Sequence, residues 1–341
     1  MFDSTKCNEC GDCFMQCQYI DYSREKAVGE IKALKLGKTA DILKDCITCM
    51  ACNEYCPTGA NPYDLIVSLQ EQKDIRLVPR EIAQGIEETL GNVPNKTIQG
   101  DPDKPALSLC VMAHAYPEDI TDSRLFDGLT QVSGSDYYSR VVFLHTGMES
   151  SVRQHAQQFI DNLTALNKDE IVFMHNDCYV LAACKAAEYG ISVPFKPVHI
   201  VEYMAGYLKE HKQDIHPLDR NIAYQRPCIS RYTPGEDLFL DEFFQLIGAH
   251  RVERQHDREN ALCCAFGLRE TDPERGAHIL QRNLNDAKNH AAEAMVFLCP
   301  GCYWLTSEAC EQAGLGSIFI TDLCRMALGE IPFASRPWKP H

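Results

Sequence analysis

The first part of the chain contains two runs of four cysteines with the same spacing. In each run, two residues separate the first three cysteines from one another, and three residues precede the fourth. Bacterial ferredoxins use this spacing to bind two [4Fe–4S] clusters, because the fourth thiolate of each run reaches across to the other cluster. The spacing therefore predicts two cubane clusters with exchanged ligands. The ligands are Cys7, Cys10, Cys13 and Cys56 for the first cubane, and Cys46, Cys49, Cys52 and Cys17 for the second cubane.

Two zinc ribbons are the alternative explanation for these cysteines. Zinc sites rarely need a third thiolate at the same spacing and a fourth three residues later, so we favour the cubane clusters. The second run continues with Pro57, as the bacterial pattern does, whereas the first run continues with Gln18.

A second group of five cysteines lies in the last third of the chain. Two of them are adjacent, and two others enclose a Pro-Gly pair. Five thiolates are one more than a cubane requires, and the extra thiolate allows a bridging ligand and an opened cluster geometry. Zinc binding and buried structural thiols are the alternatives. The five residues are Cys228, Cys263, Cys264, Cys299 and Cys302.

The chain beyond residue 105 repeats itself. An apolar stretch that runs into a short loop occurs at residues 170–184 and again at 294–310. Strands that alternate with helices predict parallel βαβ units, whose motif loops lie at the carboxyl ends of the strands. We expect two such repeats, 106–220 and 221–341, packed about a pseudo-twofold axis.

The segments in front of these repeats predict a separate domain. Helix-forming residues dominate positions 24–45, between the two cysteine runs. Residues 1–76 are therefore predicted as an α-helical ferredoxin domain. Residues 77–105 contain a short helical stretch and then Gly, Pro and Asp in quick succession, which predicts a linker. The expected fold class is an α-helical ferredoxin domain followed by an α/β region of two βαβ repeats.

The N-terminal repeat keeps only part of the five-cysteine pattern. Its matching positions hold two cysteines and two histidines, a set that suits a tetrahedral zinc ion. Two alternatives stay open: a decayed site whose histidines make ordinary hydrogen bonds, and a histidine that donates a proton to a substrate thiolate. The four residues are Cys110, His145, His175 and Cys178, and the candidate proton donors among them are His145 and His175.

The composition limits the partners and the compartment. A formal net charge of -15 argues against nucleic-acid binding, which needs clustered Lys and Arg. Eighteen cysteines without a signal peptide predict metal ligands in the reducing cytoplasm. The sequence has no apolar run long enough for a membrane span, so membrane attachment is expected only through partners. It also lacks a GxGxxG or Walker-type pattern, so a flavin or nicotinamide is expected on a partner.

Together these motifs resemble a known combination of domains. A helical ferredoxin domain followed by a cysteine-rich CCG domain occurs in the catalytic subunits of heterodisulfide reductases. It also occurs in iron–sulfur subunits of complexes that oxidise glycerol 3-phosphate, glycolate or lactate. The resemblance covers nearly the whole chain, although Ala265 stands where the family often has Gly. It implies a noncubane [4Fe–4S] cluster on the five C-terminal cysteines, which binds substrate sulfur and delivers electrons singly to a disulfide.

The resemblance implies two alternative functions. In the first, the chain is the iron–sulfur subunit of a heterodisulfide reductase-like complex, and the cubanes pass electrons to the noncubane cluster for disulfide or thiol chemistry. In the second, it is an electron-transfer subunit between a flavin dehydrogenase and quinone or ferredoxin. Both imply a flavoprotein and other iron–sulfur subunits as partners, and the first adds a small thiol or disulfide substrate. Complete heterodisulfide reductases have two noncubane clusters, whereas this chain has ligands for one.

Overall fold

The N-terminal part of the protein is built from short helices. The structure is a computed structural model that describes residues 1–339. Ser23 caps the longest helix between the cysteine runs, because its hydroxyl accepts a hydrogen bond from the backbone N–H of Lys26 at 3.2 Å. Ile31 and Leu34 then recur at helical spacing on the buried side. The helices are α1 (Asp12–Met15), α2 (Arg24–Lys35), α3 (Ile42–Asp45), α4 (Ala51–Tyr55) and α5 (Pro62–Lys73).

The middle of the chain forms a sheet of five strands, which we call the first α/β unit (residues 96–210). Its strands are β1 (Lys96–Ile98), β2 (Ala106–Ser108), β3 (Thr130–Ser133), β4 (Glu170–Phe173) and β5 (Lys196–His199). Its helices, with α6 just before it, are α6 (Arg80–Leu90), α7 (Glu149–Thr164), α8 (Asn176–Val180), α9 (Ala186–Glu188) and α10 (Ile200–Glu210). The strand order is β1-β3-β2-β4-β5, and only β1 runs antiparallel to its neighbour.

The last part of the chain forms a four-stranded parallel sheet, which we call the second α/β unit (residues 220–327). Its strands are β6 (Arg220–Gln225), β7 (Ala249–Arg251), β8 (Ala294–Phe297) and β9 (Gly316–Phe319). Its helices are α11 (Glu236–Leu246), α12 (Pro273–Asn289), α13 (Pro300–Gln312) and α14 (Ile320–Ala327). The strand order is β7-β6-β8-β9. The central strand β8 is buried along its whole length, as expected for a parallel sheet covered by helices.

One continuous apolar core joins the two α/β units. Val172 of β4 and Val296 of β8 belong to the same cluster of buried side chains. The rings of Tyr116 and Phe319 meet edge to face across the junction, with centroids 5.3 Å apart. The two units therefore bury their apolar surfaces against each other.

Buried charges join the helical part to both α/β units. In the first unit, Lys185 is completely buried, and its ammonium donates to Asp64 of α5 at 2.9 Å. In the second unit, the guanidinium groups of Arg226 and Arg231 both donate to Glu54 of α4, at 2.7 and 2.6 Å. We call these two contacts the first seam and the second seam. A buried ion pair that loses one partner is costly, so both seams hold the helical part in a defined place.

The mixed α/β class with two parallel sheets agrees with the sequence, whereas the linker does not match the prediction fully. The helical stretch of residues 77–105 is α6, but the expected linker at its end contains β1. That strand pairs with β3 in the register Lys96↔Ser133 and is exposed along its length. Its backbone hydrogen bonds form the strand, so no apolar pattern marks it in the sequence. The pseudo-twofold relation between the units stays a prediction.

Candidate metal centres

The predicted ligands of the first cubane lie together around α1 and α4. Burial, with the like charges of Cys56, Cys10 and Cys7, raises the pKa of the Cys13 thiol to about 12. Four thiolates can share such a place only when a metal compensates their charge, because a bound metal keeps a coordinating thiol deprotonated. The backbone N–H of Ala60 donates to Cys56 Sγ at 3.3 Å, the kind of outer-shell hydrogen bond that supports a metal-bound sulfur.

The predicted ligands of the second cubane line one common cavity. Apolar side chains such as Phe14, Ile42 and Ile66 form much of the rest of the wall. The backbone N–H of Thr48 donates to Cys46 Sγ at 3.3 Å. A buried cavity with thiols on several sides and apolar walls fits an iron–sulfur cluster better than a water-filled pocket. The wall contains five cysteines: the four predicted ligands of the second cubane, Cys17, Cys46, Cys49 and Cys52, and also Cys13 of the first cubane set.

The spacing of the sulfur atoms also argues against zinc at these two places. A tetrahedral zinc ion with bonds of about 2.3 Å places its sulfur ligands roughly 3.8 Å apart. Among residues 1–339, no three of the eight ferredoxin cysteines have sulfur atoms within 4.8 Å of one another. Their sulfur atoms therefore stand around a space that suits a cluster rather than a single ion.

Left-handed backbone conformations recur in the cysteine loops. Glu9 and Thr48 occupy the same place in the two runs, directly before the second cysteine of each run, and have φ of 62° and 63°. Gly11 and Met50 follow those cysteines, with φ of 78° and 63°. Non-glycine residues avoid this region, and such strain persists where the surroundings enforce it, commonly at functional sites. The left-handed residues on both sides of the second cysteine turn the chain around each cluster position.

The five C-terminal cysteines converge although they come from three separate loops. Cys228 begins a 3₁₀ turn after β6, and Cys299 is the N-cap of α13 after β8, so both lie at carboxyl ends of parallel strands. Hydrogen bonds with the thiols of Cys228 and Cys264 hold the pKa of Cys263 well below its usual range. Contacts with Cys264 and Cys299 raise the pKa of Cys302. We call this connected set the CCG centre.

Tyr19 connects the second cubane position to the CCG centre. It lies two residues after Cys17, and its ring lines the cavity of the second cubane. Its hydroxyl accepts a hydrogen bond from the backbone N–H of Cys263 at 2.8 Å. One side chain therefore touches both ligand sets, a role that the cysteine pattern did not reveal.

Gln18, which replaces the usual proline of the first run, also reaches the second α/β unit. Its amide nitrogen donates to the backbone carbonyl of Asn260 at 2.7 Å and to the hydroxyl of Tyr55 at 3.1 Å. Its amide oxygen lies 3.0 Å from Nδ1 of His256. A proline could form none of these bonds. The departure from the bacterial pattern thus serves the contact between the two parts of the chain.

Three of the four residues predicted as a zinc set in the first α/β unit lie together. Candidate ligand atoms of Cys110, His175 and Cys178 are all within 4.8 Å of one another, and all three residues are buried. Burial opposes the charged form of His175, but Asp177 and hydrogen bonds with Cys110 and Cys299 raise the pKa of its imidazole well above the usual value. His175 therefore touches both this set and the CCG centre.

His145 does not belong to that group of three. Its Nδ1 lies 2.9 Å from the backbone carbonyl of Thr48, in the loop of the second cubane. The interaction of His145 with Cys263 lowers the pKa of that thiol, so the ring is also near the CCG centre. The equal spacing in the sequence matched His145 to Cys263, but it did not show that the ferredoxin loop would supply the partner of His145. The structure thus leaves three of the four predicted ligands in contact.

Comparisons with known proteins identify two domains. Residues 1–67 match the family model of a 4Fe-4S dicluster domain, and residues 222–305 match that of a cysteine-rich domain, CCG. The fusion expected from the resemblance is therefore confirmed, and the chain carries iron–sulfur electron-transfer domains. No helix within residues 1–339 has the length and apolar character needed to cross a membrane.

A solved structure shares the fold. It is the crystal structure of a hypothetical protein from Helicobacter pylori, and the match has a TM-score of 0.54 with 12% sequence identity. The match covers 88% of this chain but only 64% of that protein, so the chain spans less than two thirds of its length. At this identity the likeness concerns the fold alone. The search of curated proteins found no match.

Proposed function

We propose that this chain is the iron–sulfur subunit of a heterodisulfide reductase-like complex. Electrons pass through two [4Fe–4S] cubanes to a noncubane [4Fe–4S] cluster at the CCG centre, where a disulfide is reduced or formed. The observation that carries the proposal is the convergence of five thiols beside the second cubane cavity, with Tyr19 in contact with both. The proposed partners are a flavoprotein and other iron–sulfur subunits of a cytoplasmic complex.

The proposed ligands follow the contacts described above. The first cubane takes the cysteine set around α1, and the second cubane takes the set whose cysteines line the cavity described above. The noncubane cluster takes the five cysteines of the CCG centre. The thiol contacts run from Cys228 through Cys263 and Cys264 to Cys302 and Cys299. Backbone N–H groups support this arrangement too, since that of Ala265 donates to Cys263 Sγ at 3.3 Å.

The proposed reaction needs both electrons and protons at a buried place. Reduction of a disulfide breaks one S–S bond, takes two electrons and two protons, and forms two thiols. A noncubane cluster held by the five cysteines of the CCG centre would supply these electrons one at a time. The candidate proton donors differ in position: His175 contacts Cys299 of the CCG centre, whereas His145 is held by the carbonyl of Thr48. Both stay proposals for catalytic roles, and His175 has the more direct contact.

As the alternative to proton donation by His175, we propose zinc at Cys110, His175 and Cys178, because an imidazole that binds zinc is neutral and cannot also donate the proton. Three protein ligands are the number found in catalytic zinc sites, which keep a fourth position open, whereas closed structural sites have four. Cys178→Ser should lose zinc and keep its iron in metal analysis. Cys184→Ser is the matched control, because Cys184 is a partly buried thiol whose neighbour is Glu188. Unchanged zinc in Cys178→Ser contradicts the zinc site.

The second candidate is an electron-transfer subunit of a flavin dehydrogenase of the glycerol 3-phosphate, glycolate or lactate type. It would feed quinone or ferredoxin. The incomplete first α/β unit favours it, because His145 and His175 stand where a second noncubane cluster would need thiolates. One cluster can pass electrons on, whereas the symmetric splitting of a disulfide uses two.

The electron paramagnetic resonance of the CCG centre distinguishes the two candidates. The anaerobically purified protein, poised at potentials where the noncubane cluster is paramagnetic, is mixed with a series of thiols and disulfides. A thiol-dependent change of the noncubane signal, with the cubane signals unchanged, supports the first candidate. A noncubane signal that no thiol alters overturns it. Identification of the proteins that co-purify then separates a reductase complex from an organic-acid dehydrogenase.

A further inference from the structure

One buried cation lies between the second cubane position and the CCG centre. Arg231 is only 5% exposed. It belongs to the 3₁₀ turn that begins at Cys228, and residues three apart in such a turn lie on the same side. Its partner Glu54 belongs to α4, two residues after Cys52. Arg231 therefore shares a turn with a cysteine of the CCG centre, and its ion-pair partner shares a helix with a cysteine of the second cubane.

The hydrogen bonds of Arg231 leave one donor without a protein acceptor. Nη1 donates to Glu54 at 2.6 Å and to the carbonyl of Glu259 at 2.8 Å, and Nη2 donates to the carbonyl of Ala261 at 2.8 Å. Within residues 1–339, Nε has no acceptor although it is buried. A buried donor without an acceptor is costly, so an acceptor outside the polypeptide would stabilise this arrangement. The inorganic sulfur atoms of a bound cluster would be acceptors of that kind.

The charge of Arg231 is not fully compensated by Glu54. The same carboxylate also receives two hydrogen bonds from Arg226, at 2.7 and 2.8 Å. Burial opposes the charge of Arg231, but the thiolate of Cys49, then Glu54, then the thiolate of Cys228 raise the pKa of its guanidinium. Cys49 belongs to the second cubane and Cys228 to the CCG centre. The same cation thus interacts with one ligand of each set.

We infer that Arg231 sets the reduction potentials of the second cubane and of the CCG centre together. Each cluster gains one negative charge when it is reduced, and a fixed buried cation stabilises the reduced form. Because one guanidinium interacts with a ligand of each centre, it favours reduction of both and raises both potentials. Part of this inference depends on the proposed function, namely the presence of a cluster at the CCG centre. Its effect on the second cubane depends on the dicluster domain alone.

A redox titration of Arg231→Gln, followed by electron paramagnetic resonance, tests the inference. A unit charge at roughly 12 Å, in protein of effective dielectric constant about 20, changes an equilibrium about tenfold. We expect the reduction equilibria of the second cubane and the CCG centre to shift at least about tenfold towards the oxidised form, which is about 59 mV for one electron. The first cubane should not move, which makes it an internal control.

Three further variants keep the test decisive. Arg231→Lys retains the charge and should keep both potentials nearer to those of the wild type. Glu54→Gln removes the opposing charge, so it should move the same potentials in the opposite direction, even if Arg231→Gln does not fold. Arg251→Gln removes another buried guanidinium of the second unit, which is paired with Asp257, and should leave the clusters unchanged.

The outcomes separate this inference from the proposed function. A second cubane whose potential is the same in the wild type, Arg231→Gln and Glu54→Gln overturns the role of Arg231. An equal shift of all three clusters, or an equal shift in Arg251→Gln, also overturns it, because the effect would then be general. A wild-type protein that binds no cluster at the CCG centre refutes the proposed function, while the second cubane still tests Arg231.

Discussion

The two α/β units arrange their strands in the same way but differ in the side chains at the strand ends. Leaving aside β1, the first unit has the order β3-β2-β4-β5 and the second β7-β6-β8-β9, so corresponding strands occupy corresponding places. The second unit brings five thiols together, whereas the first brings two thiols and one imidazole together. The same scaffold thus supports different chemistry, because the ligands come from loops that change independently of the sheet.

The units also differ in how the helical part meets them. At the first seam the buried pair of Lys185 and Asp64 holds the domains together, and the hydroxyl of Tyr232 also donates to Asp64. At the second seam Arg231 interacts with Cys49 of one proposed ligand set and Cys228 of the other, which is the basis of its proposed effect on both centres. Both seams are buried ion pairs, and the comparison suggests that only the cation of the second seam is placed to act on the proposed centres.

Matched cysteine variants give the largest expected contrast between the units. Cys228→Ser should remove the noncubane cluster, a loss of about four iron atoms from roughly twelve. Cys110→Ser, at the corresponding place in the first unit, should keep all the iron and lose any zinc. Iron and zinc analysis with the noncubane paramagnetic signal measures both. An equal loss of iron in the two variants would show that the units do not differ in this way.

The first seam predicts a large loss of stability in Lys185→Met. The change leaves the buried Asp64 without its main partner, and breaking a buried ion pair costs about 3–5 kcal/mol. Lys209→Met is the control, because Lys209 is half exposed and its pair with Glu242 contributes about 0–1 kcal/mol. Anaerobic urea unfolding followed by circular dichroism measures both. Similar losses in the two variants would contradict a special role for the first seam.

A buried carboxyl between the units predicts a dependence of stability on pH. Burial raises the pKa of Glu236 from 4.5 to about 8, and burial lowers the pKa of the neighbouring His199 to about 3. Asp237 adds to the shift of Glu236, whereas Arg226 opposes it. Because folded Glu236 holds an extra proton, its contribution to stability decreases as the pH rises from about 4.5 to about 8, whereas neutral His199 contributes an increase from about 3 to about 6.5. The two contributions cancel below about pH 6.5, so the net loss of stability is expected between about pH 6.5 and pH 8.

Glu236→Gln should remove most of this decrease. The amide cannot ionise, so the variant should gain about 2 kcal/mol over the wild type between pH 5 and pH 9, a typical penalty for a buried polar group. Melting temperatures at both pH values, with Glu242→Gln as an exposed control, measure the gain. A wild type and variant that respond alike to pH would show that Glu236 does not titrate in this range.

The smallest contrast concerns the backbone after the adjacent cysteines. Ala265 has a φ of 61°, and Gly147, which lies at the same distance from Cys110 as Ala265 from Cys228, has a φ of 69°. An alanine held in the left-handed conformation costs about 1–2 kcal/mol. Glycine removes this cost, but it also raises the entropy of the unfolded chain, which offsets part of the gain. Ala265→Gly should therefore stabilise the protein by up to about 1 kcal/mol.

Ala261→Gly is the matched control for that prediction. Ala261 has a φ of -58°, so glycine there brings only its entropic cost and should destabilise by about 0.5–1 kcal/mol. Thermal unfolding of the two variants decides the matter. A loss of stability in both would mean that the loop does not enforce the left-handed conformation of Ala265.

Several features of the protein follow from the sequence because they are local. Cysteines separated by two residues can reach the same cluster whatever surrounds them, so the spacing predicts the cubane sets directly. The helices after β4, β5, β8 and β9 begin where apolar periodicity changes, and the α/β class follows from that alternation. The resemblance added the five-cysteine cluster, because its ligands come from three loops that the sequence alone does not join.

Other features were decided by the tertiary structure, because they depend on contacts between residues far apart in the chain. His145 matches Cys263 by position, yet it bonds to Thr48, which is 97 residues away. Gln18 breaks the ferredoxin pattern because Asn260 needs a donor that proline lacks. Tyr19 and Arg231 become important only when the helical part is placed on the second α/β unit. The sequence by itself determined which residues can bind metal, and the packing of the domains decided which charges and hydrogen bonds surround them.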